Sequence, residues 1–521
     1  MNYNNPNNIV KDLSFNKKAR KKIMNGVTKL AKAVGSTLGA SGRCVVYEDT
    51  MGRPVITKDG VTVAESVVLR DPVEHIGATL IKEAASNTVE EAGDGTTTAT
   101  ILAHSILKEY EEYDGFEDIR HIKKGIDFSL EKVLEYLEKI KKPADEKMIK
   151  HVARISCNND EKLGDLIAEA YGKVGKNGVV LMETSETEQD HIEIVDGVEL
   201  SDCKLKSPHL ITDKDKHKAI LDNPYILIVN SPIQNVRKIQ SILEFIVKSK
   251  ESLLIIAELE QQPFATLLMN KVKGNIKVNV IDVPGFGPSK RDTLEDLSLL
   301  TGAKIIDEEL GDDMDMISPD VLGRAKKSVT DKKSTVLTVD KDPKLFEERI
   351  KVVEKKIKET KDKFWKGLHQ KRLAMLSGLV GIIKVGAYSK VELKEKKDRV
   401  EDALYATKAA IEEGIVPGGG VALLNAAERI EFHKGGGETI LINAIQAPFI
   451  KVLENANMAE RAKHTYEEGT GIDVTCGCTK NMIKAGIIDP LLVTKSALKN
   501  AVSVAKTIIS ADCVISNVRE E

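Results

Sequence analysis

From Asn16 to Leu38 the apolar residues Ile23, Val27, Leu30 and Val34 recur every three or four positions, while lysines and arginines fill the intervening ones. That spacing puts the apolar side chains on one face of a helix with a basic outer face, expected to end at Gly39. Residues 44–47 and 54–57 read as two short strands around a turn, and Lys58-Asp59-Gly60 as a further turn. Helical spacing returns over 73–92, 96–110 and 119–141 and breaks at Lys141-Lys142-Pro143. A short unit of helix and strand is expected over 159–196.

The pattern then changes. Between 225 and 340 short apolar runs (225–229, 252–257, 277–282, 303–306) alternate with helical stretches near 235–249 and 262–272, the signature of a small α/β domain. Pro284-Gly285-Phe286-Gly287 marks a loop. Residues 342–376 form a lysine-rich amphipathic stretch, 382–386 a strand, and 392–413 helices. A second glycine run, Gly418-Gly419-Gly420, stands beside a helix; the remainder reads as mostly helical, with a loop at 435–437 and a strand at 513–515. Two helical, glycine-punctuated regions thus enclose an α/β insertion.

With 521 residues the chain is too long for one core and must divide. Aromatics make up 4% of it, Trp365 being the only tryptophan, so the cores must be aliphatic. A net charge of −3 excludes a nucleic-acid partner held by bulk electrostatics. Six cysteines point to a reducing compartment, and the one close pair, Cys476 and Cys478, lacks the second cluster a zinc site needs. No run is apolar enough to span a bilayer, and the Asn-rich start resembles neither a secretory nor an organellar leader. A cytoplasmic protein without a membrane partner is expected.

The richest chemistry lies in Ala92-Gly93-Asp94-Gly95-Thr96-Thr97-Thr98-Ala99-Thr100. Glycines let a backbone bend sharply and approach a ligand closely. The first amides of the following helix have no intrahelical partner and favour an anion. Three hydroxyls add donors, and Asp94 can hold a divalent cation against phosphate oxygens. No Gly-Lys-Ser or Gly-Lys-Thr follows, so this is not the P-loop pattern. From the residues alone, the segment reads as a nucleotide phosphate site or as an ordinary Gly-rich helix start. Asp59 likewise reads as an acid or a turn residue, and Asp402 as an acid or a solvent-facing charge.

Several motifs together resemble the group I chaperonin, the large chaperonin of the heat-shock protein 60 type, from about residue 10 to 518. They are Thr37-Leu38-Gly39, Ile56 through Val61, Ala92 through Thr100, Val400-Glu401-Asp402-Ala403-Leu404, Glu412-Glu413-Gly414 through Leu423, and Gly486 through Pro490. The resemblance implies a multidomain α/β fold. It would comprise a mainly helical equatorial domain (1–141 with 414–521), a small α+β intermediate domain (142–196 with 379–413) and an α/β apical domain (197–378). It further implies homo-heptameric rings, single or double, driven by ATP with Mg²⁺ and K⁺, which fold unfolded client proteins beneath a small co-chaperonin cap.

Carried residue by residue, the resemblance implies that Thr37, Leu38, Gly39 and Gly95, Thr96, Thr97 and Thr98 hold phosphates. Asp94 would bind Mg²⁺, and backbone oxygens of Thr37 and Lys58 would place K⁺. Asp59 and Asp402 would be the hydrolytic pair. Gly419 and Asp489 would hold the nucleoside, with Asp473 and Val474 lining the base. Gly197, Gly378 and Gly414 would serve as hinges, with Leu379 where a further hinge glycine is expected. Leu210, Leu243, Phe264, Leu268 and Met269 would form an exposed apolar strip for clients and co-chaperonin, each with ordinary core packing as the alternative.

Other positions depart from the family pattern. Lys204, His209 and Gln240 replace apolar residues, the segment 201–207 is one residue longer, and Lys390 and Asp202 would make a swapped ion pair. Ile450 and Ala459 replace charges that bridge two rings, and the chain lacks a Gly-Gly-Met tail. A ring-forming holdase with weak or lost ATPase cycling is the alternative function. A metabolic kinase is disfavoured because no second substrate pocket is evident.

Overall fold

The computed structural model describes residues 11–49, 51–157, 160–175, 179–185, 187–200, 203–214, 217–285, 288–314, 317–339, 343–360, 379–431 and 435–517, with positions 362, 365, 369, 372, 373 and 376. The chain forms two compact units. One combines the segments up to Ala168 and from Val385 onward, and the other runs from Glu169 to Lys384.

The first unit is mainly helical. Helices Asn16–Gly35, Pro72–Ala92, Thr96–Glu112, Ile119–Ile140 and Leu491–Ile509 surround an aliphatic core that includes Val27, Leu30, Ile81, Leu102, Ile106 and Leu498. Their starts follow the expected capping chemistry: Asp71 accepts from the amides of Val73 (2.8 Å) and Glu74 (3.1 Å), with Pro72 in the first turn. The first and last described strands, Lys11–Phe15 and Cys513–Asn517, pair antiparallel. The expected hairpin forms from Val45–Glu48 and Pro54–Thr57.

Several expectations need correction. The first helix stops at Gly35 rather than Gly39, because Asn455 Nδ2 donates to the carbonyls of both Gly35 and Leu38 at 2.9 Å and holds the chain in a turn. Lys58-Asp59-Gly60 leads directly into a short helix, Gly60–Ser66, capped by Asp59. The glycines at 435–437 open helix Gly436–Ala444 instead of forming a loop. A Cβ on Gly437 would lie 2.0 Å from the Ile122 carbonyl, so glycine permits close packing on helix Ile119–Ile140. The region 392–413 is one continuous helix, Lys390–Glu413. The late chain also carries two small antiparallel ribbons that the helical reading missed, Ile415–Pro417 with Ile488–Pro490 and Thr470–Asp473 with Cys478–Asn481.

The second unit confirms the α/β alternation. Strands Ile305–Ile306, Tyr225–Val229, Ser252–Ile256 and Lys277–Ile281 pair in parallel in that order, and Gly323–Arg324 joins Tyr225–Val229 antiparallel. Leu227, Ile255 and Val280 are fully buried, as expected of a covered parallel sheet. A six-stranded sheet has the order Val179–Thr184, Leu379–Val385, His191–Leu200, Thr335–Thr338, Lys327–Thr330, Ala219–Asp222. Helix Pro343–Glu359 fills the first half of the lysine-rich stretch; Arg349 and Arg372 from that stretch clasp the fully buried Asp296 at 2.6 and 2.8 Å.

The candidate hinges fall at different kinds of place. Gly414 has φ 92°, and its would-be Cβ lies 2.5 Å from the Lys142 carbonyl, where Lys142 and Ile415 exchange backbone hydrogen bonds at 2.9 and 2.8 Å. Gly197 lies inside strand His191–Leu200, opposite Thr338, with its would-be Cβ 2.3 Å from Val380. Glycine is required there by close packing, and Leu379 pairs with the adjacent Asp196. Gly378, Asp202 and the side chain of Lys390 lie outside the described residues.

Candidate functional site

Asp94 stands between two glycines in the left-handed region, Gly93 at φ 76° and Gly95 at φ 96°. A Cβ on Gly93 would fall 2.3 Å from Tyr405, so only glycine lets this loop lie flat against helix Lys390–Glu413. On the other side a Cβ on Gly95 would come within 2.9 Å of Val493. Ala92, Ala409 and Val493 close an apolar seam behind the loop. Asp94 is thereby wedged between the starts of helices Thr96–Glu112 and Leu491–Ile509 and the helix that carries Asp402.

Helix Thr96–Glu112 begins at Gly95 with no side-chain cap, which leaves its first-turn amides for an external acceptor. Asp94 itself accepts from the Gly95 amide at 2.5 Å. Thr97 Oγ1 lies 3.5 Å from Thr37 Oγ1, and Thr37 in turn donates to the Val34 carbonyl at 2.8 Å. Gly60 abuts Thr97, its would-be Cβ 2.4 Å from Thr97 Oγ1. The Thr37–Gly39 turn, the Asp59–Gly60 helix start and the Thr96–Thr98 turn therefore meet at one place.

Three expected acids gather there. Asp59 accepts from the amides of Val61 (3.1 Å) and Thr62 (2.7 Å) and from the Thr62 hydroxyl (2.6 Å). Asp59 therefore caps the helix that follows it, and its charge also acts on the other two acids. Burial raises the pKa of Asp94, and the charge of Asp59 adds to it. Asp402 is pushed well above the carboxylate range, first by burial and then by the charges of Asp94, Asp59, Glu401 and Asp398. All three are half-buried.

Asp489 adds a fourth carboxylate. Ribbon Ile415–Pro417/Ile488–Pro490 sets it opposite Val416, where it accepts from the amides of Gly419 and Gly420. Burial, together with the charge of nearby Asp94, pushes its pKa up to about 7. Gly419 and Gly420 have φ 65° and 78°, the bend that turns both amides onto one carboxylate.

Asp473 behaves differently. Its carboxylate is engaged by Lys480 at 2.8 Å and by the Thr475 amide and hydroxyl at 3.0 and 2.6 Å, and these partners hold its pKa low against burial. The hairpin that carries it abuts the glycine run through Met482, and Val474 packs against the cluster of Val421, Phe449 and Met482.

The expected apolar strip is only partly exposed. Leu210 is fully buried in the core of the second unit, packed with Leu227, Ile255 and Val280, so its side chain is unavailable to a client; this corrects the expectation. The cause is the short helical turn Pro208–Leu210, which drives the side chain inward. Leu243, Phe264 and Leu268 are half-buried, and Met269 is 59% exposed. Sequence reasoning missed Tyr405, Val493 and Asn455, which seat the loops. Tyr405 follows Asp402 by three positions and so shares its helix face, a signal that was available.

Among the described residues no three His, Cys, Asp or Glu side chains form a ready-made metal site, and no helix is long and apolar enough to cross a membrane. Mutually repelling carboxylates beside free helix amides nevertheless form a donor set that suits a cation brought in with phosphates.

Comparison with known proteins places the site in context. Chaperonin gp146 from bacteriophage EL of Pseudomonas aeruginosa, crystallised in the presence of ATP-BeFx, has a similar fold in two crystal forms. Form II superposes with a TM-score of 0.74 at 22% identity, covering 99% of this chain and 100% of that one. Form I gives 0.66 at 22% identity over 98% and 99%. Residues 30–519 match the TCP-1/cpn60 chaperonin family. The resemblance read from the motifs holds at the level of the family: the chain belongs to the TCP-1/cpn60 chaperonins.

Proposed function

We propose that this protein is an ATP-hydrolysing chaperonin whose cycle drives the folding of non-native proteins in a ring chamber. The observation that carries the reading is the convergence of Asp59, Asp94 and Asp402, from three distant parts of the chain, at an uncapped helix start.

Phosphoryl transfer asks a protein mainly for positioning and charge stabilisation. The amides of Gly95 to Thr98 and the Thr37–Gly39 turn would receive the phosphates, and Asp94 would hold Mg²⁺. That ion would neutralise charge developing on the phosphate oxygens. Backbone oxygens of Thr37 and Lys58 would hold K⁺. Asp402, whose proton affinity is raised by burial and then by its acidic neighbours, is suited to take a proton from an attacking water, with Asp59 orienting it. Asp489 would receive the ribose, Gly419 would back the base, and Val474 would close the nucleoside side while Asp473 stiffens its hairpin.

At a larger scale we infer the three-domain division stated above, heptameric rings (single or double), a co-chaperonin cap and cytoplasmic action. Clients would bind Leu243, Phe264, Leu268 and Met269, joined by Val272, which is 67% exposed on the same helix as Met269. Apolar surface suits non-native chains because it rewards burial without demanding sequence.

Asp402→Ala tests the reading. ATP binding should persist while hydrolysis falls about 100-fold, as expected for loss of a general base. Parental hydrolysis would overturn the role of Asp402. A parent chain that suppresses aggregation without hydrolysing ATP would move the assignment to the holdase.

A further inference from the structure

The hairpin Thr470–Asp473/Cys478–Asn481 carries a feature the nucleotide chemistry does not use. Its tip is Val474-Thr475-Cys476-Gly477, followed by Cys478, and both cysteines are exposed free thiols. Gly477 sits at φ 68° and folds the chain back between them. Cys476 Sγ donates to the Asp473 carbonyl at 3.7 Å, and Cys478 Sγ lies 3.5 Å from the Cys476 carbonyl. The two thiols interact with one another, and the Lys480 ammonium interacts with the Cys476 sulfur. The thiolate is the form that attacks disulfides. Of the other cysteines, Cys157 and Cys203 are buried.

We propose that Cys476 and Cys478 form a reversible dithiol/disulfide site, whose oxidation by a small-molecule disulfide weakens nucleotide binding. The Cys476 thiolate attacks one sulfur of the small disulfide; an S–S bond forms, the original one breaks, and one thiolate departs. The Cys478 thiolate then attacks the Cys476 sulfur and expels the second. Two electrons pass to the small disulfide, and the two protons of the cysteine thiols end on the two released thiols.

The link to nucleotide binding rests on the ATP reading above. Asp473 is the register partner of Cys478 and is held by Thr475, one residue before Cys476. Closing a ring through Cys476 and Cys478 draws on both positions, so it strains the Asp473 contacts and shifts Val474 beside the glycine run. Coupling is reciprocal: bound nucleotide should disfavour oxidation by the same factor.

The full chain, incubated with oxidised glutathione and cleaved without reductant, should yield a peptide spanning both cysteines that lacks two hydrogens and carries no glutathione. Cys478→Ser should instead trap glutathione on Cys476. A parent chain with a glutathione adduct on the exposed Cys44 but with Cys476 and Cys478 still reduced would overturn the site. Titration with a fluorescent ATP analogue should show affinity about fivefold or more weaker after oxidation, the lower end of ordinary site coupling. Equal affinities in the two redox states would overturn the coupling. A reduced chain that binds no nucleotide would overturn the ATP reading and the coupling with it, while the peptide masses still decide the disulfide.

Discussion

Asp489 shows how one side chain can carry two opposed environments. The Gly419 and Gly420 amides favour its charge, whereas burial and Asp94 oppose it and win, so the proton is held to about pH 7. An acid whose folded pKa is raised stabilises the fold most fully below its ordinary value of 3.8, and that contribution is lost as pH rises toward 7. Without nucleotide, Asp489→Asn should therefore raise the thermal midpoint at pH 8, with the gain shrinking as pH falls to 5. A gain independent of pH would show that charge is not the cause. The residue types were legible in the sequence, but their directions were not. Asp59 reads in the sequence as a turn residue or an acid, yet nothing in Lys58-Asp59-Gly60 states that its carboxylate caps a helix and lies close enough to act on Asp402. Leu210 follows the same logic: its apolar character was plain, but the short turn Pro208–Leu210 that carries it into the core was not.

At the level of elements, the glycine-bearing loops are the parts a helix cannot replace. Gly93 combines a left-handed backbone with contact against Tyr405, so Gly93→Ala should push the Asp402 helix off its seat. The expected cost is about 2 kcal/mol of stability, typical of an overpacked contact, together with a marked loss of hydrolysis. Urea unfolding and a steady-state ATPase assay would check this, and a parental result in both would refute it. Long periodic helices were legible because they obey a local rule. The ribbon Ile415–Pro417/Ile488–Pro490 was not, since each strand is three residues long and the two lie far apart in sequence. The glycines of 435–437 misled because their role is close helix packing, which a breaker rule reads as a loop.

The whole molecule follows the enclosing pattern seen in the sequence, with a continuous unit inserted in a discontinuous one. Assembly is the property that belongs to this scale. Sedimentation velocity in magnesium and potassium should give a seven- or fourteen-subunit particle, and monomers with and without nucleotide would refute the chamber. The pairing of Lys11–Phe15 with Cys513–Asn517 has a consequence for synthesis. A ribosome releases residues in order, and domains generally form as units as they emerge. The segment 169–384 has been made whole before the residues that follow it emerge. Its host unit is still incomplete at that point, because strands Ile488–Pro490 and Cys513–Asn517 follow the insertion in sequence. A nascent chain stalled before Ile488 would thus lack both the strand that pairs with Ile415–Pro417 and the one that pairs with Lys11–Phe15.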